Sequence, residues 1–476
     1  MLGLLKTGAR RIARDVVGPH LRRHHPRRVD LPHDAFGLAV GATGHLQLGA
    51  HALVDLVREF GSPLHVVHGA RLDAATAAAM APRTDRGRPG CDVFYSYKTN
   101  PVPQILARIH RAGVGAEVIS AYELWLALHL GVPPARIIYN GPAKSVNSLR
   151  CAITHGVHLI NANSASEVDT ILDVAGDIGR PARLGLRVAL PGMWGGQFGI
   201  PSTSPLVDEV VRRALNDARA ELLAIHVHRG TTIRSRGDLA GHVGQIMEFL
   251  DGLRDRTGWF PRIVDVGGSL ACATVGEFAA REYRLNRLLG TDVLPPDPSV
   301  TVGIAEASEL AATQVAEFAD SVGEPTPEVI LEPGRALTGN AQLLLTSVMD
   351  VKHDGDPPHA VLDAGINIAD AAANEYHQLF SAANPLGAAE TSYRLAGPIC
   401  TPADVLYYNW RLPELRPGHV LAIMDAGAYF VPFSTAFSFP RPAIVMVDDN
   451  GARLIRRREH FEDLIGLDVE ASHLGA

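Results

Sequence analysis

Short apolar runs alternate with stretches of helical periodicity through the middle of the chain. Residues 63–67, 93–97, 116–119, 137–139, 159–161, 184–189, 222–228, 263–266 and 328–331 have the apolar, β-branched character of buried strands. Helical patterns over 103–112 and 121–130 separate the early ones. Strands that alternate with helices pair in parallel. About eight or nine such units between 64 and 335 predict a (β/α)8 barrel rather than an open sheet.

The rhythm changes beyond the barrel. Residues 343–352, 360–363, 420–424 and 443–447 are strand-like without regular helices between them. They predict a C-terminal β-rich domain that also takes an N-terminal strand, near residue 40. The domain plan is a basic extension over 1–32, a segment joining the β domain over 33–63, the barrel over 64–338, the β-rich domain over 339–455 and a tail over 456–476. The interval 270–325 is long for a strand-to-helix connection, and such elaborated connections are often lids or interface elements.

With 476 residues, 46% hydrophobic and 20% charged, the chain has material for a sizeable core. It has no run of about 18 apolar residues that would predict a spanning helix. Cys91, Cys151, Cys272 and Cys400 are far apart and form no CxxC pair. That predicts neither a zinc site nor a disulfide scaffold, and fits a reducing cytoplasm. The formal charge of −7 conceals an asymmetry, because residues 1–28 carry eight Lys/Arg against one Asp and leave the rest near −14. So acidic a body is a poor partner for nucleic acid. The basic head lacks the apolar segment of a secretory signal. It reads as a solvated or oligomer-docking extension, with an anchor or an organelle presequence as alternatives.

Chemistry in a barrel sits at the C-terminal ends of its strands. There stand Lys98, His228, the turn Gly267-Gly268-Ser269 and the run Glu332-Pro-Gly-Arg335. This is a poor set for a metal. It suits an aldehyde cofactor bearing a phosphate and an aromatic nitrogen.

At these residues the chain resembles a known family. Tyr95-Ser-Tyr-Lys98-Thr-Asn100-Pro101, the stretch 113–120 with Glu123, and Ala224-Ile-His-Val-His228-Arg-Gly230-Thr231 are similar to motifs of the fold-type III pyridoxal-phosphate decarboxylases. These are the diaminopimelate, ornithine and arginine decarboxylases, related in fold to alanine racemase. Asp265-Val-Gly267-Gly268-Ser269, Glu332-Pro-Gly-Arg335, Gly397-Pro-Ile-Cys400-Thr-Pro-Ala-Asp404 and Asp425-Ala-Gly427-Ala-Tyr429 follow in the family's order.

The resemblance implies a role for each. Lys98 would carry pyridoxal 5'-phosphate as an imine, its amine activated by desolvation. Glu332 would face the pyridine nitrogen and strengthen the electron sink, where the racemase relatives have an arginine. His228 would stack on the ring, with His226 behind it. Gly230, Thr231, Gly267, Gly268 and Ser269 would cradle the phosphate, with Arg335 adding charge. Cys400 would donate the proton that replaces CO2, and Tyr429 would help hold the cofactor, both in the partner's site of a homodimer. Tyr376, Thr401 and Asp404 are the substrate-side candidates.

Some positions depart from the family. The residue after the cysteine is Thr401 rather than an acid that binds a distal amine. An expected arginine is replaced within Ala371-Ala-Ala373, the lysine before Phe198-Gly199 is Gln197, and the third glycine of the turn is Ser269. A distal ammonium buried without a carboxylate would cost several kcal/mol. The expected substrate is therefore an amino acid or derivative with a neutral, acylated or acidic distal group, or one tethered to a carrier protein, in amino-acid or specialised metabolite biosynthesis. A racemase on the same scaffold and a non-catalytic cofactor-binding protein are the rivals.

Overall fold

The computed structural model describes residues 17–81 and 90–468. The chain divides into two compact units: Leu72–Ala273 with Ser299–Gly339, and Met1–Arg71 with Thr274–Pro298 and Asn340–Ala476.

The first unit is a closed barrel of eight parallel strands: Asp92–Ser96, Gly115–Val118, Ile137–Tyr139, Leu159–Ala162, Ala182–Ala189, Ala220–His226, Ile263–Asp265 and Glu328–Leu331. The last strand closes on the first, with Ile330 beside Asp92. Every residue of the first four strands is buried, as parallel strands covered on both faces require. Serines turn the chain from strand into helix. Ser120, Ser145 and Ser164 accept the backbone N–H of Glu123, Ser148 and Glu167, opening the helices Ala121–His129, Val146–His155 and Ala165–Ile178. Ser235 and Asp238 cap Arg236–Thr257 reciprocally. Inside the barrel, Phe94, Ile138, Leu159, Leu223, Ala224, Ile263 and Ile330 form an apolar cluster. Gly115 makes room for it, since a Cβ there would fall 2.4 Å from the Phe94 ring.

The second unit is built on a nine-stranded sheet around the long strand Gln342–Lys352. Here the structure corrects the expected domain plan. The strand Leu64–His68, expected to open the barrel, instead pairs antiparallel with Gln342–Lys352 and parallel with Ala443–Asp448. A short strand buried along nearly its whole length reads alike in either sheet, because apolar content reports burial and not the pairing partner. The N-terminal strand Leu38–Val40 pairs within a separate three-stranded sheet. That sheet joins the β-rich unit by packing, with Leu38, Leu46 and Leu48 in one cluster with Leu343, Leu345 and Val445. The helix Ile366–Asn374 was not foreseen among these strands.

The long connection is shared between the units. Thr274–Pro298 belongs to the β-rich unit, where Asn286 and Asn409 exchange side-chain-to-backbone hydrogen bonds at 3.2 and 2.6 Å. Its second half, with the helix Ile304–Val322, belongs to the barrel.

Among the described residues of the basic head, Arg28 has a buried side chain. Arg28 stacks its guanidinium 3.9 Å from the centre of the Trp410 ring and donates to Arg411 O at 2.8 Å. Arg10, Arg11 and Arg14 lie outside the described residues. Among the described residues, no helix is long and apolar enough to cross a membrane.

Candidate active site

Side chains alternate across a strand, so residues two apart share a face. The apolar plug therefore predicts what lies above it. Phe94, Ile138, Leu159, Ala224, Ile263 and Ile330 are followed two residues later by Ser96, Asn140, Asn161, His226, Asp265 and Glu332. All six polar residues are buried, as is Glu117. Strand register sets Ser96 beside Glu117, and Arg187, His226 and Asp265 in a row.

Above this layer is a cavity of about 140 Å³ lined by Lys98, Glu117, Asn140, Arg187, His226, His228 and Glu332, with Ile119, Pro142, Trp194 and Phe198 as apolar walls. Lys98 sits in the Tyr97–Thr99 turn that follows the first barrel strand. Its side chain is 36% exposed, and Nζ lies 3.3 Å from Glu117 Oε2. The amine thus meets a paired carboxylate rather than the dry surroundings expected from sequence.

Glu117 also accepts from Ser96 Oγ and, at 3.0 Å, from Asn140 Nδ2. The same Asn140 nitrogen donates to Glu332 Oε1 at 2.6 Å, while Asn140 Oδ1 accepts from Asn161 Nδ2 at 2.8 Å. Glu332 Oε2 lies 3.5 Å from His226 Nε2.

Two buried carboxyls divide a proton between them. Burial pushes Glu332 up, but His226, the Lys98 charge and a hydrogen bond from Asp265 outweigh it, so Glu332 stays ionised well below the usual carboxylate range. Burial and then the Glu332 charge raise Asp265 well above that range, so it keeps its proton. Burial also lowers the Arg187 guanidinium, opposed by Glu332, Glu117 and Asp265, and Arg187 lies 4.6 Å from the Phe198 ring centre. Burial first, then the Lys98 charge, hold His228 neutral.

One edge of the site is a loop pair with unusual backbone. Gly230, Gly267 and Ser269 all have positive φ, at 82°, 70° and 70°. Gly268 admits no side chain, because a Cβ there would fall 2.3 Å from Glu332 O.

These groups fit pyridoxal 5'-phosphate. An amine stands for the aldehyde, an ionised carboxylate for the pyridine nitrogen, a neutral imidazole for the ring face, and a small-residue loop with left-handed turns for the phosphate. The donor atoms of His226, His228 and Glu332 also lie within 4.8 Å of one another. A divalent cation there would face the Lys98 and Arg187 cations lining the same cavity.

The other sequence candidates fall as follows. Thr231 accepts from Arg229 Nε at 3.0 Å, and Arg335 begins the short helix Arg335–Thr338. Cys400 is exposed, Thr401 half-buried, and Tyr429, at φ 68°, stacks on Phe433 with ring centres 5.8 Å apart. All three belong to the β-rich unit. Two substrate-side expectations are corrected. Tyr376 is buried in the core of that unit and donates to Gln378 Oε1 at 2.7 Å. Asp404 is a buried loop clamp whose two oxygens accept Ile366 and Ile399 N–H at 2.8 and 2.9 Å. Sequence reasoning passed over Glu117, Asn140, Asn161 and Arg187. For Asn140 and Asn161 the signal was present, a polar residue two places beyond a core position.

Comparison with known proteins agrees with this chemistry. Residues 74–339 match the model of the pyridoxal-dependent decarboxylase pyridoxal-binding domain. The diaminopimelate decarboxylase of Aquifex aeolicus is 27% identical over 446 residues, covering 90% of this chain and 96% of that protein. The diaminopimelate decarboxylase of Methanothermobacter thermautotrophicus is 29% identical over 455 residues, covering 91% and 98%. The crystal structure of M. jannaschii diaminopimelate decarboxylase with L-lysine has the same fold, with TM-score 0.80, 23% identity and coverage of 92% and 99%. The family match and the decarboxylase relatives favour decarboxylation over racemisation, and the chain belongs to the pyridoxal-dependent decarboxylases, amino-acid carboxy-lyases that work with pyridoxal 5'-phosphate.

Proposed function

We propose that this decarboxylase removes the α-carboxylate of an amino acid or amino-acid derivative whose distal group is neutral, acylated, acidic or tethered to a carrier protein, as a step in biosynthesis. The observation behind the chemistry is Glu332, held ionised between Asn140 and His226 at the edge of the Lys98 cavity. The substrate class is supported by Thr401, which offers no charge to a distal ammonium.

When bound, the cofactor supplies an electron sink for the pair left as CO2 departs. Lys98 Nζ is the amine that holds its aldehyde carbon. Glu332 keeps a proton on the pyridine nitrogen, with Asn140 and His226 fixing the carboxylate. His228 covers one ring face. Gly230, Thr231, Gly268, Ser269 and Arg335 hold the phosphate. The unit of function is a homodimer, in which Cys400 of the partner subunit protonates the α-carbon and Tyr429 of the partner subunit closes the site. The four free thiols suit a reducing cytoplasm.

Borohydride reduction of the cofactor-loaded protein followed by peptide mapping should tag Lys98. A tag elsewhere overturns the assignment. CO2 release should then be compared between meso-diaminopimelate, the second reading favoured by the names of the relatives, and Nε-acylated, acidic and carrier-bound amino acids. Turnover of diaminopimelate alone would overturn the substrate class and leave the decarboxylase reading standing.

A further inference from the structure

The turn after the Ile263–Asp265 strand holds a serine in the left-handed region, Ser269 at φ 70°. A side chain keeps that conformation only where its surroundings impose it. The Ser269 hydroxyl lies 3.2 Å from the Gly230 backbone nitrogen, which donates to it, and 3.3 Å from His228 Nε2. On the other side of the imidazole, the Gly268 N–H donates to His228 Nδ1 at 3.3 Å.

These contacts fix where the protons are. A backbone N–H can only donate, so Nδ1 is an unprotonated acceptor. Burial keeps His228 neutral, so its single ring hydrogen is on Nε2 and is donated to Ser269 Oγ. Gly230 N–H takes the second lone pair of that oxygen. Both acceptor positions of the hydroxyl are then filled, and its own hydrogen is directed to neither partner. The oxygen sits at a half-buried position beside Gly230 and Thr231, in a loop pair whose turned backbone suits an anion.

We infer that the Ser269 hydroxyl donates its hydrogen to the cofactor's phosphate, and so ties the phosphate to the His228 ring, whose tautomer the Gly268 N–H selects. This rests on the cofactor reading above and deepens it. Ser269 becomes a positioning residue with two connected partners, and its side chain has a use that explains why a strained backbone is tolerated. A glycine would make the turn more easily but would leave His228 Nε2 and Gly230 N–H without this acceptor.

The test uses Ser269→Ala and Ser269→Gly in the full-length chain. The apoproteins are titrated with pyridoxal 5'-phosphate and with pyridoxal, which lacks the phosphate, and uptake is followed by visible absorbance. Both variants should bind the phosphorylated cofactor about 10- to 100-fold more weakly, the range of one hydrogen bond to a charged group. Pyridoxal affinity should stay within about twofold of wild type. As an apoprotein Ser269→Gly should melt above Ser269→Ala, because it relieves the left-handed φ, yet show the same loss of phosphate-dependent affinity. Wild-type affinity in Ser269→Gly overturns the inference, since the hydroxyl would then be unused. Equal weakening of both ligands also overturns it, since the serine would then act only through the ring. A wild-type chain that takes up neither ligand overturns the cofactor reading itself, and this inference with it.

Discussion

The Asn140 amide donates to Glu332 Oε1 at 2.6 Å, and the same nitrogen reaches Glu117 Oε1 at 3.0 Å. One neutral side chain thus holds together the carboxylate beside Lys98 and the carboxylate assigned to the cofactor ring. Its direction is set from behind, because Asn161 Nδ2 occupies Asn140 Oδ1. Asn140→Asp replaces the donor with a third acceptor of the same shape. At pH 7 the variant should lose about 100-fold in kcat, the size of losing one preorganised electrostatic contact. Activity should recover as pH falls, because a protonated aspartic acid again donates to Glu332. A pH–rate profile parallel to wild type would show that Asn140 does not govern Glu332.

Glu123 makes a separate pH prediction. Its carboxyl accepts the Ile119 N–H at 2.8 Å. Burial, and secondarily the Glu117 charge, raise it to about 7 from 4.5. A raised folded-state acid is most favourable to folding at low pH. As pH climbs from about 4.5 to 7 the unfolded chain gives up this proton while the folded chain keeps it, so stability is lost at about 1.4 kcal/mol per pH unit. Glu123→Gln cannot titrate. It should be near neutral at pH 5 and more stable than wild type by about 2–3 kcal/mol at pH 8. Urea unfolding at the two pH values measures this, and a difference that stays constant would contradict it.

Asp404 should prove structural. Its oxygens hold the Ile366 and Ile399 amides, and the space around it is so close that a Cβ on Gly365 or Gly397 would fall 2.4 Å from its oxygens. Asp404→Ala leaves a buried and a part-buried N–H without that acceptor and should cost about 2–4 kcal/mol. Thermal melting of the apoprotein reads this directly. Cofactor absorbance at temperatures below the transition should match wild type.

The barrel was legible because its strands are short buried runs, covered on both faces, that alternate with helical stretches. The same property hid the origin of Leu64–His68, since burial on both faces is equally true in the β-rich sheet. Lys98, His228 and Glu332 stood out as chemistry at strand ends. Asn140 and Asn161 did not, although each lies two residues beyond a plug residue, because an asparagine after a strand also reads as an ordinary turn. Tyr376 and Asp404 were drawn toward the substrate by their neighbours in sequence. Only the packing around them distinguishes a core tyrosine and a loop clamp from residues facing a ligand.

Cys400 tests the shared site. The loop that bears it is held on either side, by Ile399 N–H on Asp404 and by Thr401 N–H on Ile399 O at 2.8 Å, leaving the thiol exposed. Cys400→Ala should keep cofactor absorbance and lose about 100-fold in CO2 release, the range of one general acid. Lys98→Ala alone should be inactive through loss of the amine. If each site draws Lys98 from one subunit and Cys400 from the other, mixing and reassociating the two variants gives heterodimers with one site carrying both defects and one carrying none. Activity should then recover to about a quarter of wild type at equal mixing. A mixture no more active than its components, under conditions where subunits are shown to exchange, would place Cys400 outside the partner's chemistry.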